Sequence, residues 1–425
     1  MKNPPMEDRA PVTRPEAFAW WHAAPRSARK ALVAASLGWM LDSFDVMLYS
    51  LVLASLMVDL NLSKGAAGIL GSATLLAAAA GGLVFGIVAD RFGRTRALMA
   101  SVLIYAVFTA ACGLAHNFVQ LAVFRILLGL GMGGEWASGA SLVSETWPAE
   151  HRGKALGLMQ SSWAIGYALA ALVAAVVMPL GGWRAVFFVG ILPALFTLWI
   201  RRSVEEPEVW KKARDKKTSS AFGGFAEIFR GKLLPLTLAL TLMNACCLFA
   251  WWGFNLWVPA YLSLPVSRGG IGLTSTAMSV IVIVMQVGMW FGYVTFGFVS
   301  DAIGRKRTYV TYLLAASLLL VVYGATRAPL ALLMLGPLVA FFGTGYFTGF
   351  AAVTAEIYET RIRSTAQGFT YNTGRVASAI APFTVGSLAQ KHGFGAAFTV
   401  GALSFLLAAF FWIWIPETKG RILTE

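Results

Sequence analysis

Apolar residues run along this chain in long blocks, and short polar stretches separate them. The blocks fall near residues 31–57, 66–89, 97–115, 119–143, 155–178 and 183–200. A polar stretch at 201–232 follows, and then blocks near 233–262, 273–299, 308–326, 329–353, 365–388 and 394–415. As a helix rising about 1.5 Å per residue, a block of this kind crosses a hydrocarbon layer of about 30 Å. Lipid offers the backbone no hydrogen-bond partner, so each crossing block must be helical. The alternating pattern of a membrane β-barrel is absent. The pattern therefore predicts an all-α integral membrane protein with twelve transmembrane helices.

Composition agrees. The 425 residues are 58% hydrophobic and 13% charged, where a soluble chain carries about 25% charge. The net charge of +14 lies in loops between apolar blocks, so it is not a nucleic-acid footprint. Of the 34 Lys and Arg, Arg125 and Arg375 fall within blocks, and Lys64, Arg184, Arg268, Arg327 and Lys391 lie in loops on one side. The remaining 27 share the other side with both termini, which the positive-inside rule makes cytoplasmic. The expected location is thus the cell (inner) membrane. The first thirty residues are polar, and no cleavable signal peptide is expected. Cys112, Cys246 and Cys247 read as packing residues, too few for a disulfide framework.

The chain also repeats itself. Gly86-Ile87-Val88-Ala89-Asp90-Arg91-Phe92-Gly93-Arg94 returns as Gly297-Phe298-Val299-Ser300-Asp301-Ala302-Ile303-Gly304-Arg305, an offset of 211 residues. Glu145 with Arg152 returns as Glu356 with Arg363, and Glu206 returns as Glu417, at the same offset. Parallel duplication is the economical explanation. It divides the chain into a tail (1–30), a six-helix bundle (31–205), a linker (206–232), a second six-helix bundle (233–415) and a tail (416–425).

On these features the chain resembles the major facilitator superfamily, whose best-known signature is the G-x-x-x-D-R-x-G-R pattern at Gly86–Arg94. The helix-1 acids Asp42 and Asp45, with Gly129-Leu130-Gly131-Met132-Gly133-Gly134-Glu135-Trp136, look most like its metabolite:proton symporters. The sialate and lactate branch resembles it most, and the aromatic-acid branch next. Ser43 stands where many of these carriers have Gly. The resemblance implies two pseudo-symmetric bundles that rock around a midplane site, with proton-linked acids on helices 1 and 4. It also implies that Arg125, placed before the helix-4 glycines as in sugar porters, couples to a helix-1 Asp.

Residue chemistry supplies its own candidates. Asp42 and Asp45 lie three residues apart at the middle of the first block, hence on one helical face. A charge there costs about 2.5–3.5 kcal/mol on insertion scales, so it marks function or an ion pair. With Glu135, they are candidate proton sites, and Arg125 is their candidate partner; the alternatives are a fixed ion pair and a snorkelling Arg125. Arg375 has no acid in its own block, and its planar fork suits a carboxylate, from substrate or from an acid across the cavity. Tyr371, Asn372, Gln160, Asn244, Asn255 and Gln286 interrupt apolar blocks and are candidate substrate contacts or helix-joining groups. Trp residues in the blocks read more readily as interfacial belt or packing.

Asp90, Arg91, Arg94, Glu145, Arg152, Asp301, Arg305, Glu356 and Arg363 are assigned to gating, as loop ion pairs. Gly82, Gly86 and the helix-4 glycines give smooth faces for close packing. No metal, cofactor, nucleotide or nucleophile constellation is present, and an enzyme is excluded. The expected function is proton-coupled symport, as uptake, of a small organic acid such as a monocarboxylate, by a monomer in the lipid bilayer. The alternatives are a proton-coupled sugar or polyol carrier and a drug:proton antiporter.

Overall fold

The computed structural model describes residues 21–22, 24–203, 227–231 and 233–419. Some side chains inside helices, among them those of Asp90, Trp136, Glu145, Arg152 and Arg363, lie outside the described set, as do most of the expected linker and both chain ends.

Among the described residues the structure is helical throughout. The first half holds α1 (Arg26–Asp59), α2 (Lys64–Phe92), α3 (Arg94–Cys112), α4 (Phe118–Thr146), α5 (Ala149–Val189) and α6 (Pro193–Ser203). The second holds α7 (Leu233–Ser263), α8 (Ser275–Ile303), α9 (Arg305–Ala325), α10 (Pro329–Thr344), α11 (Phe350–Ile357), α12 (Thr360–Ser378) and α13 (Ala381–Phe411). Short polar caps start three of them: Ser63, Asn117 and Thr274 each accept a backbone N–H of the first turn.

Ten runs among the described residues are long and apolar enough to cross a membrane, against the twelve blocks expected. The difference arises because two runs join neighbouring blocks. Lys154–Thr197 and Ala366–Phe411 span 44 and 46 residues. That is about 65–70 Å of helix, twice a bilayer core. Each turns at one glycine with positive φ, Gly182 (68°) or Gly393 (82°), which L side chains rarely tolerate. The helical hydrogen-bonding resumes at once, so no loop separates the blocks.

The repeat is visible in the backbone as well. Gly182 and Gly393 are 211 residues apart, and so are Gly93 (φ 115°) and Gly304 (φ 105°), the single-residue joints between α2 and α3 and between α8 and α9. Gly81 packs on the Leu130 carbonyl and Gly292 on the Phe341 carbonyl, again at that offset. The outer surface inverts the rule for soluble proteins: Leu83, Ile87, Phe298 and Leu318 are each at least 66% exposed, as lipid-facing side chains would be.

Across the seam between halves, α1 packs on α7, α2 on α13, and α5 on α8. Besides a Gln160–Tyr293 contact between α5 and α8, most hydrogen bonds between the halves among the described residues lie toward the face opposite the described chain ends, here the distal face. Examples are Ser50 Oγ to the Leu256 carbonyl (2.7 Å) and the Phe383 N–H to Ser72 Oγ (3.2 Å). On the terminal face the described pairs stay inside the second half. Arg305 bonds Asp301 (2.5 Å) and Glu356 (2.9 Å), and Thr418 donates to Glu356 (2.5 Å). Glu417 accepts backbone N–H groups of Arg305, Lys306, Thr418 and Lys419. Partial burial pushes its carboxyl up, but these four bonds outweigh it and hold it below the usual range.

Replacing Arg305 by Ala should therefore lower stability in detergent by about 2 kcal/mol, because half-buried Glu356 loses its fork, and Lys should restore only part. Since the folded carboxyl of Glu417 is the stronger acid, its modest contribution is present above the unfolded value and fades as pH falls through the folded one. Thermal unfolding of Glu417→Gln should accordingly lose less on acidification below about pH 4 than the wild type.

Candidate functional site

The buried charged side chains of the described structure are five: Asp42 and Asp45 on α1, Arg125 and Glu135 on α4, and Arg375 on α12, none more than 5% exposed. Close helix packing puts them there. Gly38 faces the Glu135 carboxylate so closely that a Cβ at this position would overlap its Oε1, and Gly139 flanks the same oxygen. Gly166 lets α5 press on the Met40 carbonyl of α1, where Ser43 Oγ donates to the Trp163 carbonyl at 2.8 Å. Ser43 thus ties α1 to α5 and turns the two acids toward the interior. In the second half, Gly374 admits Asn244 and Ala245 of α7 against α12, next to Arg375.

Arg375 crosses the electrostatic divide. Its charge acts on both Asp42 and Glu135 of the other half. Among the described residues, however, no carboxylate lies within the 4.0 Å of an ion pair with it. Asp42 Oδ2 and both oxygens of Asp45 and Glu135 are enclosed without a hydrogen-bond partner. Unpaired buried carboxylates at full charge are costly, so the arrangement calls for protons or for a ligand.

Several expected roles shift. Arg125 does not pair with Asp45: all three of its side-chain nitrogens lack a hydrogen-bond partner, and its guanidinium lies over the Tyr49 ring at 4.0 Å. The ring face, fixed by the Tyr49 hydroxyl bond to the Ala67 carbonyl (2.8 Å), offers the cation a nearer electron-rich surface. Asn255 joins helices, with its amide on Met47 Sδ (3.5 Å) and its carbonyl accepting from Ser50 (3.3 Å). Asn372 is not enclosed with the acids. It is exposed on the stripe of Val376 and Ile380, and its amide bonds its own helix at Gly368 (2.9 Å).

Four expected contacts do gather. Tyr371 lies one turn before Arg375 and within its field, and Gln160 of α5 meets Tyr293 of α8, which neighbours Tyr371. Gln286 shares the Tyr293 face of α8, seven residues earlier, with Oε1 unpartnered. Asn244 Oδ1 is likewise buried and unpartnered. Trp39, Trp163 and Trp252 form a continuous aromatic wall from α1 through α5 to α7, with centroids 4.7 and 5.9 Å apart, and Trp39 Nε1 has no partner. These tryptophans line the seam and are not interfacial.

Sequence reading missed α3. Ser101, Tyr105 and Thr109 are fully buried one turn apart, and Tyr105 neighbours Asp42, Asp45 and Glu135 together. Thr109 stands beside Asp45 while its hydroxyl donates to the Tyr105 carbonyl (2.8 Å). An i, i+4, i+8 hydroxyl stripe is a readable signal, but in an apolar helix it resembles local back-bonding. Among the gating candidates, Arg91 lies 5.8 Å from the Phe92 ring and Arg94 opens α3. Asp301, Arg305 and Glu356 form the network already described inside one half. No group of three His, Cys, Asp or Glu that could hold a metal occurs among the described residues.

Comparison with known proteins follows this geometry. The chain is 34% identical over 414 residues to a probable 4-methylmuconolactone transporter of Cupriavidus pinatubonensis, covering 95% of this chain and 94% of that protein. It is 33% identical to a cis,cis-muconate transport protein of Acinetobacter baylyi, covering 92% and 94%. The crystal structure of a D-xylose–proton symporter superposes with a TM-score of 0.75 at 22% identity, over 93% of this chain and 99% of that one. A family model described as Major Facilitator Superfamily matches residues 35–292 and 262–424. With that match and these relatives spanning nearly its whole length, the chain belongs to the Major Facilitator Superfamily of membrane transporters.

Proposed function

We propose that this protein takes up a small organic acid together with a proton, by alternating access, through twelve crossings of the cell (inner) membrane with both termini in the cytoplasm. The observation that carries the reading is the seam itself: the buried Arg375 of the second half faces Asp42 and Glu135 of the first, with Asp45 beside Asp42. Fully ionised, Asp42, Asp45, Glu135, Arg125 and Arg375 sum to −1. One proton neutralises the set, and a bound monoanion returns it to −1. A carrier loaded with one proton and one anion thus holds the same buried charge as the empty, deprotonated carrier. Loading only one of the two changes that charge at a depth where each unit costs several kcal/mol. Coupling follows from this equality.

Arg375 would take the carboxylate in its planar fork. Tyr371, Asn244 and Gln286 would read the rest of the molecule, and the Trp39–Trp163–Trp252 wall suits a flat, conjugated acid. The similarity to a cis,cis-muconate transport protein and a probable 4-methylmuconolactone transporter supports a substrate of this kind. Because Ser50, Lys64 and the Phe383 N–H tie the halves together toward the distal face, the conformation is read as closed to the outside.

Proteoliposomes with an imposed pH gradient test this against cis,cis-muconate, benzoate, lactate, sialate, xylose and a cationic dye. Accumulation of an acid is expected, and accumulation of xylose or the dye in its place would overturn the reading. Arg375→Gln should cut kcat/KM by about 100-fold or more, the effect of removing one partner of a buried charge pair. Asp45→Asn or Glu135→Gln should leave acid exchange while abolishing pH-driven accumulation; if both variants accumulate acid as the wild type does, coupling lies elsewhere. Gly38→Ala should lower transport by about tenfold without loss of folded protein in detergent, since its methyl must displace the Glu135 carboxylate.

A further inference from the structure

The distal face is built to draw anions. Its loops hold Lys64, Arg184, Arg268, Arg327 and Lys391 against a single acid, Asp59. Asp59 is already engaged, by Arg184 at 2.7 Å and the Trp183 indole at 3.0 Å. Between the halves on this face lies a cavity of about 550 Å³, lined among others by Asn61, Ser63 and Lys64 of the first half and Ser267, Arg268 and Gln390 of the second. No acid lines it.

Lys64 also holds the seam shut. Its half-buried ammonium donates to the Arg268 carbonyl (2.8 Å) and the Ala389 carbonyl (3.1 Å) and sits 4.7 Å from the centre of the Phe394 ring. One residue on, the Gly65 N–H donates to Gln390 Oε1 (3.2 Å). Among the described residues, the Lys64 bonds are the hydrogen bonds across the seam that carry a formal charge. Their acceptors are neutral carbonyls, which a carboxylate outcompetes for an ammonium.

We infer that Lys64 and Arg268 form an anion-receiving site in this vestibule, where an arriving carboxylate draws the Lys64 ammonium off its two carbonyls and so releases the closed outer gate. This rests on the reading that the cargo is an organic acid and that the distal face looks outward. Arg268 supplies attraction from solution, being exposed at the rim. Lys64 converts binding into opening, because the anion and the second half compete for the same three N–H donors.

The test uses the full chain in right-side-out vesicles, with Cys112, Cys246 and Cys247 replaced by Ala and Ser50→Cys as reporter beneath the gate. A membrane-impermeant maleimide labels that thiol only when the seam opens. Arg375→Gln is added to silence the central site. Benzoate is expected to speed labelling several-fold, and benzamide at matched ionic strength to leave it unchanged. Lys64→Gln should abolish the response to benzoate, and Lys64→Ala should label fast with or without it. Equal acceleration by benzoate in Lys64→Gln, or none in the Lys64 protein, would overturn the proposal.

In uptake by otherwise wild-type protein, Arg268→Gln should raise KM about tenfold at about 10 mM salt, with the loss falling on KM and not on kcat. The difference should shrink at high salt, and a salt-independent KM counts against the site. Should the wild type accumulate no acid at all, the proposed function fails while the labelling still judges the vestibule.

Discussion

Five charges are held out of water, and four of them, Asp42, Asp45, Glu135 and Arg375, lie near enough to act on one another without forming an ion pair. This unrelieved electrostatic demand organises the interior. Glycines at 38, 139, 166 and 374 carry no side chain at the points where the charged helices close on their neighbours. Ser43 locks the rotation of α1 against α5, so the two aspartates cannot turn toward lipid. The Tyr49 ring face attracts the Arg125 guanidinium, leaving Arg375 as the cation that acts on Asp42.

The two halves share a backbone plan and divide the chemistry. Joints at Gly93 and Gly304, bends at Gly182 and Gly393, and contacts at Gly81 and Gly292 repeat at one offset. The charges do not: the positions 211 residues beyond Asp42, Asp45 and Glu135 are Gly253, Leu256 and Tyr346. Duplication thus supplied a symmetric scaffold, and divergence placed three acids in one half and Arg375 in the other. A site at the seam can then sense the relative position of the halves, because its energy depends on the distance between them.

The halves are also joined differently at their two faces. On the distal face they meet through neutral donors and one ammonium, contacts that exchange readily with water or with an anion. The terminal-face network around Arg305 and Glu417 binds α8, α9, α11 and the end of the chain into one body. Strong pairing inside a bundle and weak pairing between bundles is what rigid-body rocking requires.

Legibility divides along the same line. Periodicity and composition determined the helices, the repeat and the five buried charges, because lipid forces backbone bonds to close within each segment and makes any buried charge conspicuous. The run of hydropathy also marked residues 183 and 394 as fresh starts, although the helical bonding does not lapse there for more than a glycine. Which charges meet was decided in three dimensions. Arg125 went to a tyrosine ring and not to Asp45, and Asn372 stayed exposed although it sits three residues from Arg375. Tyr105, unremarkable in its own segment, lies among all three acids. A helix reports its own faces through spacing, but the partner of each face depends on crossing angles and glycine contacts between segments far apart in sequence, and these exist only once the bundle has closed.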